Sequence, residues 1–257
     1  MSIRALYEPR DNAMRIAVFS SWGPGNFSAA MSAAADSCAA MKVVLLVSDR
    51  LGTPSAELAR GCGVSVIERD FADRLRKVGS SERGEASDRM HDEVLEAVQL
   101  FEHEHGMIDL AVLAYRRVIR GALFAHFCDR MINQHPADLT VLNDDGARRY
   151  IGISGLARSI SDGVGATRTS TILVTEGVDE GEILGQGPWV PVDRSEGRAD
   201  VDAHELLQKQ RSDWPILTML LQLICRGRLA VDDGYISAGH RNVYLDGRAL
   251  PCGGVQM

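Results

Sequence analysis

Between residues 15 and 135, short apolar runs alternate with stretches of helical period, and this alternation restricts the chain to few architectures. Lys42-Val-Val-Leu-Leu-Val-Ser48 is almost continuously β-branched or leucine, the pattern of a strand buried on both faces. Shorter apolar runs over 15–20, 64–68, 108–113 and 131–134 predict four further strands. Helical stretches separate them. One is Ala-rich, at about 27–40; one over 54–60 has Pro54 in its first turn and Gly61 or Gly63 to close it. One over 88–104 carries Val94, Leu95, Val98 and Phe101 on one face, and one covers 121–130. Residues 69–87, charged and punctuated by Gly and Ser, read as a surface loop with some helix, and residues 1–13 as a loose leader. The whole predicts an α/β fold with a doubly wound, mostly parallel sheet.

The pattern changes after His135. Residues 137–150 are polar and turn-rich, and 152–161 read as a short helix. Strands are predicted over 169–175 and 183–192, joined by a turn at Glu176-Gly-Val-Asp-Glu-Gly181. Residues 201–226 form a long helix interrupted or bent near Pro215. Gly234, Tyr235, Gly239, Val243, Tyr244, Leu245 and Gly247 suggest a small hairpin region, so this C-terminal part is antiparallel. With no repeat or linker, 14–257 reads as one domain with an N-terminal half to about 136 and a C-terminal half over 137–257.

A net charge of −7 and the lack of a basic stripe argue against a nucleic-acid partner. No apolar run approaches the roughly 20 residues of a membrane span, and the N-terminus lacks a signal-peptide core. Five scattered cysteines without a Cys-x-x-Cys point to reduced thiols in a cytoplasm and to no zinc site. His91, His103, His105 and His126 show no metal-like spacing and read as surface residues.

Asn133-Gln134-His135-Pro136 is the stretch richest in chemistry. In an extended strand, residues i and i+2 face the same way, so Asn133 and His135 share one space and Pro136 ends the strand. An amide donor beside a titratable base suits reaction at a carbonyl carbon: one holds a developing oxyanion, the other moves a proton. Taken alone, an Asn-x-His at a strand end is more often a hydrogen-bonded loop pair. Asp179, in the turn before Gly181, can orient an imidazole or a water, although a turn Asp more often satisfies backbone amides. The Trp22-Gly-Pro-Gly-Asn-Phe27 loop can cradle a phosphate on backbone N–H groups, although glycines in a βα turn often do no more than turn the chain. Arg116 and Arg117 follow a buried strand, where they pair with an anion or with surface acids. Ligands of doubly wound sheets bind beyond the carboxyl ends of the strands, where these groups are expected to converge.

In this order the pieces resemble the folate-dependent formyltransferases, above all those that act on glycinamide ribonucleotide. The resemblance rests on the loop Ser20–Phe27, on Val112-Leu-Ala-Tyr-Arg-Arg117, on Asn133-x-His135-Pro136, on Thr169-Ser170 leading through Val174-Thr175 to Asp179, and on Asp246-Gly-Arg-x-Leu-Pro251. It implies a Rossmann-like formyltransferase fold and transfer of a formyl group from 10-formyltetrahydrofolate to a primary amine, phosphoribosylglycinamide of purine biosynthesis or a related small amine, without a metal. It also implies roles: catalysis for Asn133, His135 and Asp179, acceptor phosphate for Gly23, Gly25, Asn26 and Phe27, and folate for Tyr115, Arg116, Arg117, Val118, Ile119, Val174 and Val178. Gln210 stands where the family has a Glu that helps hold the substrate ribose. Partners are then the amine and the folate, with a homodimer allowed.

The departures lie elsewhere. The family's Ser-Leu-Leu-Pro after the motif is replaced by Ala137-Asp-Leu-Thr-Val-Leu142 and a longer polar insertion to Arg149; histidines common on the next helix are absent; a common strand His is Ile172. These changes keep three other readings open: formylation of an amino sugar nucleotide or biosynthetic intermediate, hydrolysis of 10-formyltetrahydrofolate, and a catalytically idle folate- or nucleotide-binding protein.

Overall fold

A computed structural model describes residues 2–38, 40–195, 197, 199–233 and 241–257. Gly234, Tyr235 and Gly239 of the expected hairpin region lie outside the described residues. The strands are numbered along the chain from β1 (Ile3–Ala5). The chain divides into two compact units, residues 10–131 and residues 1–9 with 132–257.

The first unit carries β2 (Met14–Ser20), β3 (Met41–Ser48), β4 (Ser65–Glu68) and β5 (Leu110–Ala114), all parallel, in the order β5-β2-β3-β4. Ile16, Ala17, Val18 and Phe19 of β2 are fully buried, as are Leu45, Leu46 and Val47 of β3. Full burial of each large apolar side chain contributes about 1.5–3 kcal/mol, so these two strands anchor the unit. Helices α1 (Gly25–Ala34) and α2 (Pro54–Gly61) pack on β2, β3 and β4. Thr53 caps α2 by accepting from the Ala56 N–H, and Pro54 fits its first turn because an N–H at that position would have no helical acceptor and proline carries none. The charged segment 69–87 holds more helix than its composition suggested: α3 (Phe71–Arg76) buries Phe71, and α4 (Arg83–His105) begins within it. Helix α5 (Gly121–His126) packs against α4. The sheet order reverses between β5 and β2, so their carboxyl ends flank a topological switch point.

The second unit starts with β6 (Met131–His135), which pairs antiparallel with β8 (Ser170–Leu173). Strand β9 (Ile183–Gln186) continues antiparallel, and β14 (Val255–Gln256) adds in parallel. The expected strand over 183–192 is broken, its second part being β10 (Val190–Pro191) paired with β7 (Ala166–Thr167). Within the expected leader, Ile3–Ala5 are ordered: β1 pairs antiparallel with β11 (Leu229–Asp232). Strands β12 (Val243–Leu245) and β13 (Arg248–Ala249) complete that antiparallel sheet.

Helix α6 (Gly155–Ser161) follows the insertion. The long C-terminal helix is α7 (Val201–Gln208) and α8 (Trp214–Cys225), separated by a wide π turn over Lys209–Asp213. Pro215 has no N–H for the carbonyl four residues back, and the Trp214 N–H reaches Lys209 O five back instead. Ser212 of that turn lies so close to Gly187 that a Cβ there would be 2.4 Å from its hydroxyl. Ile216, Leu217, Leu220, Leu221 and Ile224 of α8 are fully buried.

Candidate active site

In the second unit, the register of β6 on β8 sets Asn133 opposite Ile172 and His135 opposite Ser170, with both functional side chains on one strand face. Asp179 comes from the turn after β8 and has a left-handed φ of 56°. Its Oδ2 lies 3.2 Å from His135 Nδ1, and both side chains are nearly buried. The Asn133 amide donates to Asp179 Oδ1 at 3.4 Å. The three residues singled out from the sequence therefore form one contact set.

The end of the insertion and the residues just after it complete that set, which the sequence did not announce. His135 Nε2 lies 2.6 Å from the Tyr150 carbonyl, the Gly152 N–H donates to Asp179 Oδ2 at 2.7 Å, and Arg148 Nη1 donates to Asp179 O at 2.5 Å. Both ring nitrogens of His135 thus face acceptors. A neutral imidazole has one N–H and satisfies one of them, whereas an imidazolium donates to both. A Cβ on Gly155 would lie 2.2 Å from Tyr150 O and 2.9 Å from His135 Nε2, so the first turn of α6 fits against His135 only as glycine. The signals available were Gly152-Ile-Ser-Gly155 and the turn Asn143-Asp-Asp-Gly146, both readable only as loop punctuation.

Burial raises the Asp179 carboxyl, but the hydrogen bond and charge of His135, the Gly152 N–H and the Arg148 charge outweigh it and hold the group below its ordinary value. Next to the pair runs a buried polar chain. The Thr169 hydroxyl donates to Asp213, Gln208 donates to Thr169 at 3.1 Å, and Thr167 donates to Gln208 and lies 2.7 Å from His204 Nε2. Gln210 sits exposed on the π turn, Val174 is half-buried and Val178 exposed.

In the first unit, the carboxyl ends of β2 and β5 bring two predicted segments together: the Arg116 N–H donates to Ser21 Oγ at 2.8 Å. Gly25, Asn26 and Phe27 form the first turn of α1, whose N-cap Pro24 provides no side-chain cap. Its leading N–H groups are the kind that receive anions. Tyr115 packs edge-on against Phe19 and Phe71, so its ring belongs to the core, and Ile119 is buried as well. Arg117 pairs with the buried Asp49 at 3.0 Å, while Arg116 and Val118 are exposed. A cavity of about 230 Å³ opens here between Arg116, Arg117, Arg120 and Asp88. His91 is a correction: it is buried at 2% exposure against Phe71, because it lies on the same face of α4 as the buried Val94 and Val98. His126 is also mostly buried, 2.8 Å from Glu102.

Among the described residues, no group of three or more His, Cys, Asp or Glu side chains is arranged to hold a metal ion, and no helix is long and apolar enough to cross a membrane.

Sequence comparison names the class of enzyme to which this α/β chain belongs. The chain belongs to the formyl transferase family, whose profile matches residues 14–212. Phosphoribosylglycinamide formyltransferase of Escherichia coli K12 is 27% identical over 145 residues, covering 56% of this chain and 58% of that protein. The chain thus spans somewhat over half the length of that curated relative. Among solved structures, glycinamide ribonucleotide transformylase 1 of Symbiobacterium toebii shares the fold at a TM-score of 0.69 and 24% identity, covering 92% of this chain and 95% of the other. Formyltetrahydrofolate deformylase of Burkholderia mallei shares it at 0.62 and 17% identity, covering 91% and 70%.

Proposed function

We propose that the chain is an N-formyltransferase that moves a formyl group from 10-formyltetrahydrofolate to a primary amine, with phosphoribosylglycinamide the leading acceptor. The observation that carries this reading is the buried His135–Asp179 contact of 3.2 Å with the Asn133 amide beside it. The amine nitrogen attacks the formyl carbon and a C–N bond forms, leaving a tetrahedral oxyanion. Asn133 Nδ2 donates to that oxygen. The amine's proton passes by way of His135 and a water oriented by Asp179 to N10 of the folate. The carbon–N10 bond then breaks, releasing tetrahydrofolate and the formamide. Removing one preorganised oxyanion donor typically costs roughly 10²–10³ in kcat.

In this reading, Gly23, Gly25, Asn26 and Phe27 receive the acceptor's phosphate, and Gln210 serves its ribose side. On the folate side, the backbone of Tyr115 to Ile119 and, separately, the side chains of Val174 and Val178 are the groups assigned to the co-substrate. The exposed guanidinium of Arg116 supports contact with an anionic part of the folate. The protein then works in the cytoplasm on two small molecules, alone or as a homodimer.

Hydrolysis of the same donor is the second reading, supported by the fold shared with a deformylase. Incubation with 10-formyltetrahydrofolate, with and without glycinamide ribonucleotide, separates the two. Tetrahydrofolate release that requires the amine supports transfer, and equal release without it supports hydrolysis. His135→Ala is expected to abolish turnover while folate binding persists; unchanged turnover in that variant refutes the mechanism.

A further inference from the structure

We propose that Arg148 is a positioning residue: held on a hairpin of the insertion, its guanidinium fixes the Asp179 turn and, through Asp179, the ring of His135. The insertion is then a working part of the site, an inference that deepens the proposed reaction and rests on it only for its activity readout.

Residues 141–149 form a closed hairpin. The Arg149 N–H donates to Val141 O at 2.9 Å, the Asn143 N–H to Ala147 O at 2.8 Å, and Leu142 bridges Arg148. Gly146 turns the chain at a φ of 82°, which glycine adopts without penalty. From the closing arm of the hairpin onward, alternate residues meet the catalytic candidates: Arg148 holds Asp179 O, the Tyr150 carbonyl holds His135 Nε2, and the Gly152 N–H holds Asp179 Oδ2. One short segment thus contacts two residues that stand far apart in the chain.

Asp179 needs such support. Its backbone is left-handed, a conformation that Asp adopts more readily than most residues with a Cβ but that surrounding contacts still have to hold in place. Arg148 supplies the tie to the backbone of that residue, and its guanidinium also faces the charges of Asp179, Glu180 and Glu182. Its role is not that of core filler. Arg148 borders a cavity of about 1010 Å³ within the second unit, together with Leu142, Ile151, Gly177 and Glu180, so shortening the side chain leaves solvent-accessible space.

That cavity makes a chemical test practicable. Arg148→Ala and Arg148→Lys are compared with wild type by kcat, by KM for 10-formyltetrahydrofolate and by the pH dependence of kcat, with methylguanidine added back to the alanine variant. The expected result is a fall in kcat of roughly 10- to 100-fold in Arg148→Ala, as for other residues that orient reacting groups, with the folate KM little changed. Loss of a positive charge beside Asp179 lets that carboxylate take up a proton at higher pH, so the acid limb of the profile moves to higher pH. Methylguanidine restores part of the rate, and lysine restores less because it lacks the planar fork. A folded Arg148→Ala protein with wild-type kcat and an unmoved acid limb overturns the proposal. If wild type itself transfers no formyl group, the proposed reaction fails, and Arg148 is judged by NMR titration of the Asp179 carboxyl and the His135 ring. Shifted titrations in Arg148→Ala uphold its positioning role; identical titrations overturn it.

Discussion

The Thr169 hydroxyl donates to a carboxyl oxygen of Asp213 in a region from which water is excluded, Thr169 being 0% and Asp213 4% exposed. Burial pushes the Asp213 carboxyl up to about 6, against the lowering effect of the Thr169 bond. The folded protein therefore binds this proton more tightly than the unfolded chain. Below about pH 4 the group is protonated in both states and contributes nothing to the pH dependence; stability then falls as pH rises toward about 6 and stays lowered above it. Asp213→Asn mimics the protonated acid. Chemical denaturation is expected to show it more stable than wild type at about pH 8, by on the order of 2 kcal/mol, with the gap closing by about pH 4.

Asp179 works in the opposite direction. Burial raises its carboxyl, but the His135, Gly152 and Arg148 interactions win, and the net shift is downward. Its contribution is fully present above the ordinary carboxylate range and is lost as pH falls through the depressed value. Thermal melts of Asp179→Asn should lie below wild type at neutral pH and converge with it under strongly acidic conditions. A constant offset across the whole range would contradict the assignment.

Gly155→Ala should damage the site through geometry alone. The new methyl has no room beside Tyr150 O and His135 Nε2, so α6 or the imidazole must move. Overpacking of this kind costs typically about 1–3 kcal/mol. Turnover is expected to fall further than the change in melting temperature suggests, which parallel rate assays and calorimetry would show.

Glu182 and Arg241 form a buried pair, Oε2 to Nη2 at 3.0 Å, with side chains 4% and 3% exposed. Arg241→Ala leaves a buried carboxylate without that partner and should cost about 3–5 kcal/mol in urea unfolding, whereas Glu182→Leu with Arg241→Met should recover most of the loss. Equal destabilisation by the single and double variants would refute this pairing argument.

Strand and helix periodicity exposed the first unit well, because β2, β3 and β5 are buried on both faces and nearly free of polar interruptions. The boundaries of α4 were misjudged: Arg83, Gly84, Glu85 and Ser87 mimic a loop in composition, while Ala86 and Met90 bury the helix face they share. In the second unit the candidate site's side chains are legible in the sequence. Their backbone partners were not, since a carbonyl at Tyr150 or an N–H at Gly152 carries no residue signature. The π turn was foreseen only as an interruption near Pro215, because its width depends on the tertiary fit of Ser212 against Gly187.

Strand β1 joins Ile3, Arg4 and Ala5 to Asp232, Val231 and Ala230, partners that follow far along the chain. At elongation rates of roughly 5–20 residues per second, those few residues wait on the ribosome for about 10–50 s before their edge can be covered. The first unit, whose strands are close in sequence, closes well before then. A nascent chain thus passes through a stage in which the first unit can fold while β1 still lacks its partner, and the second unit can be finished only after β11 has been made.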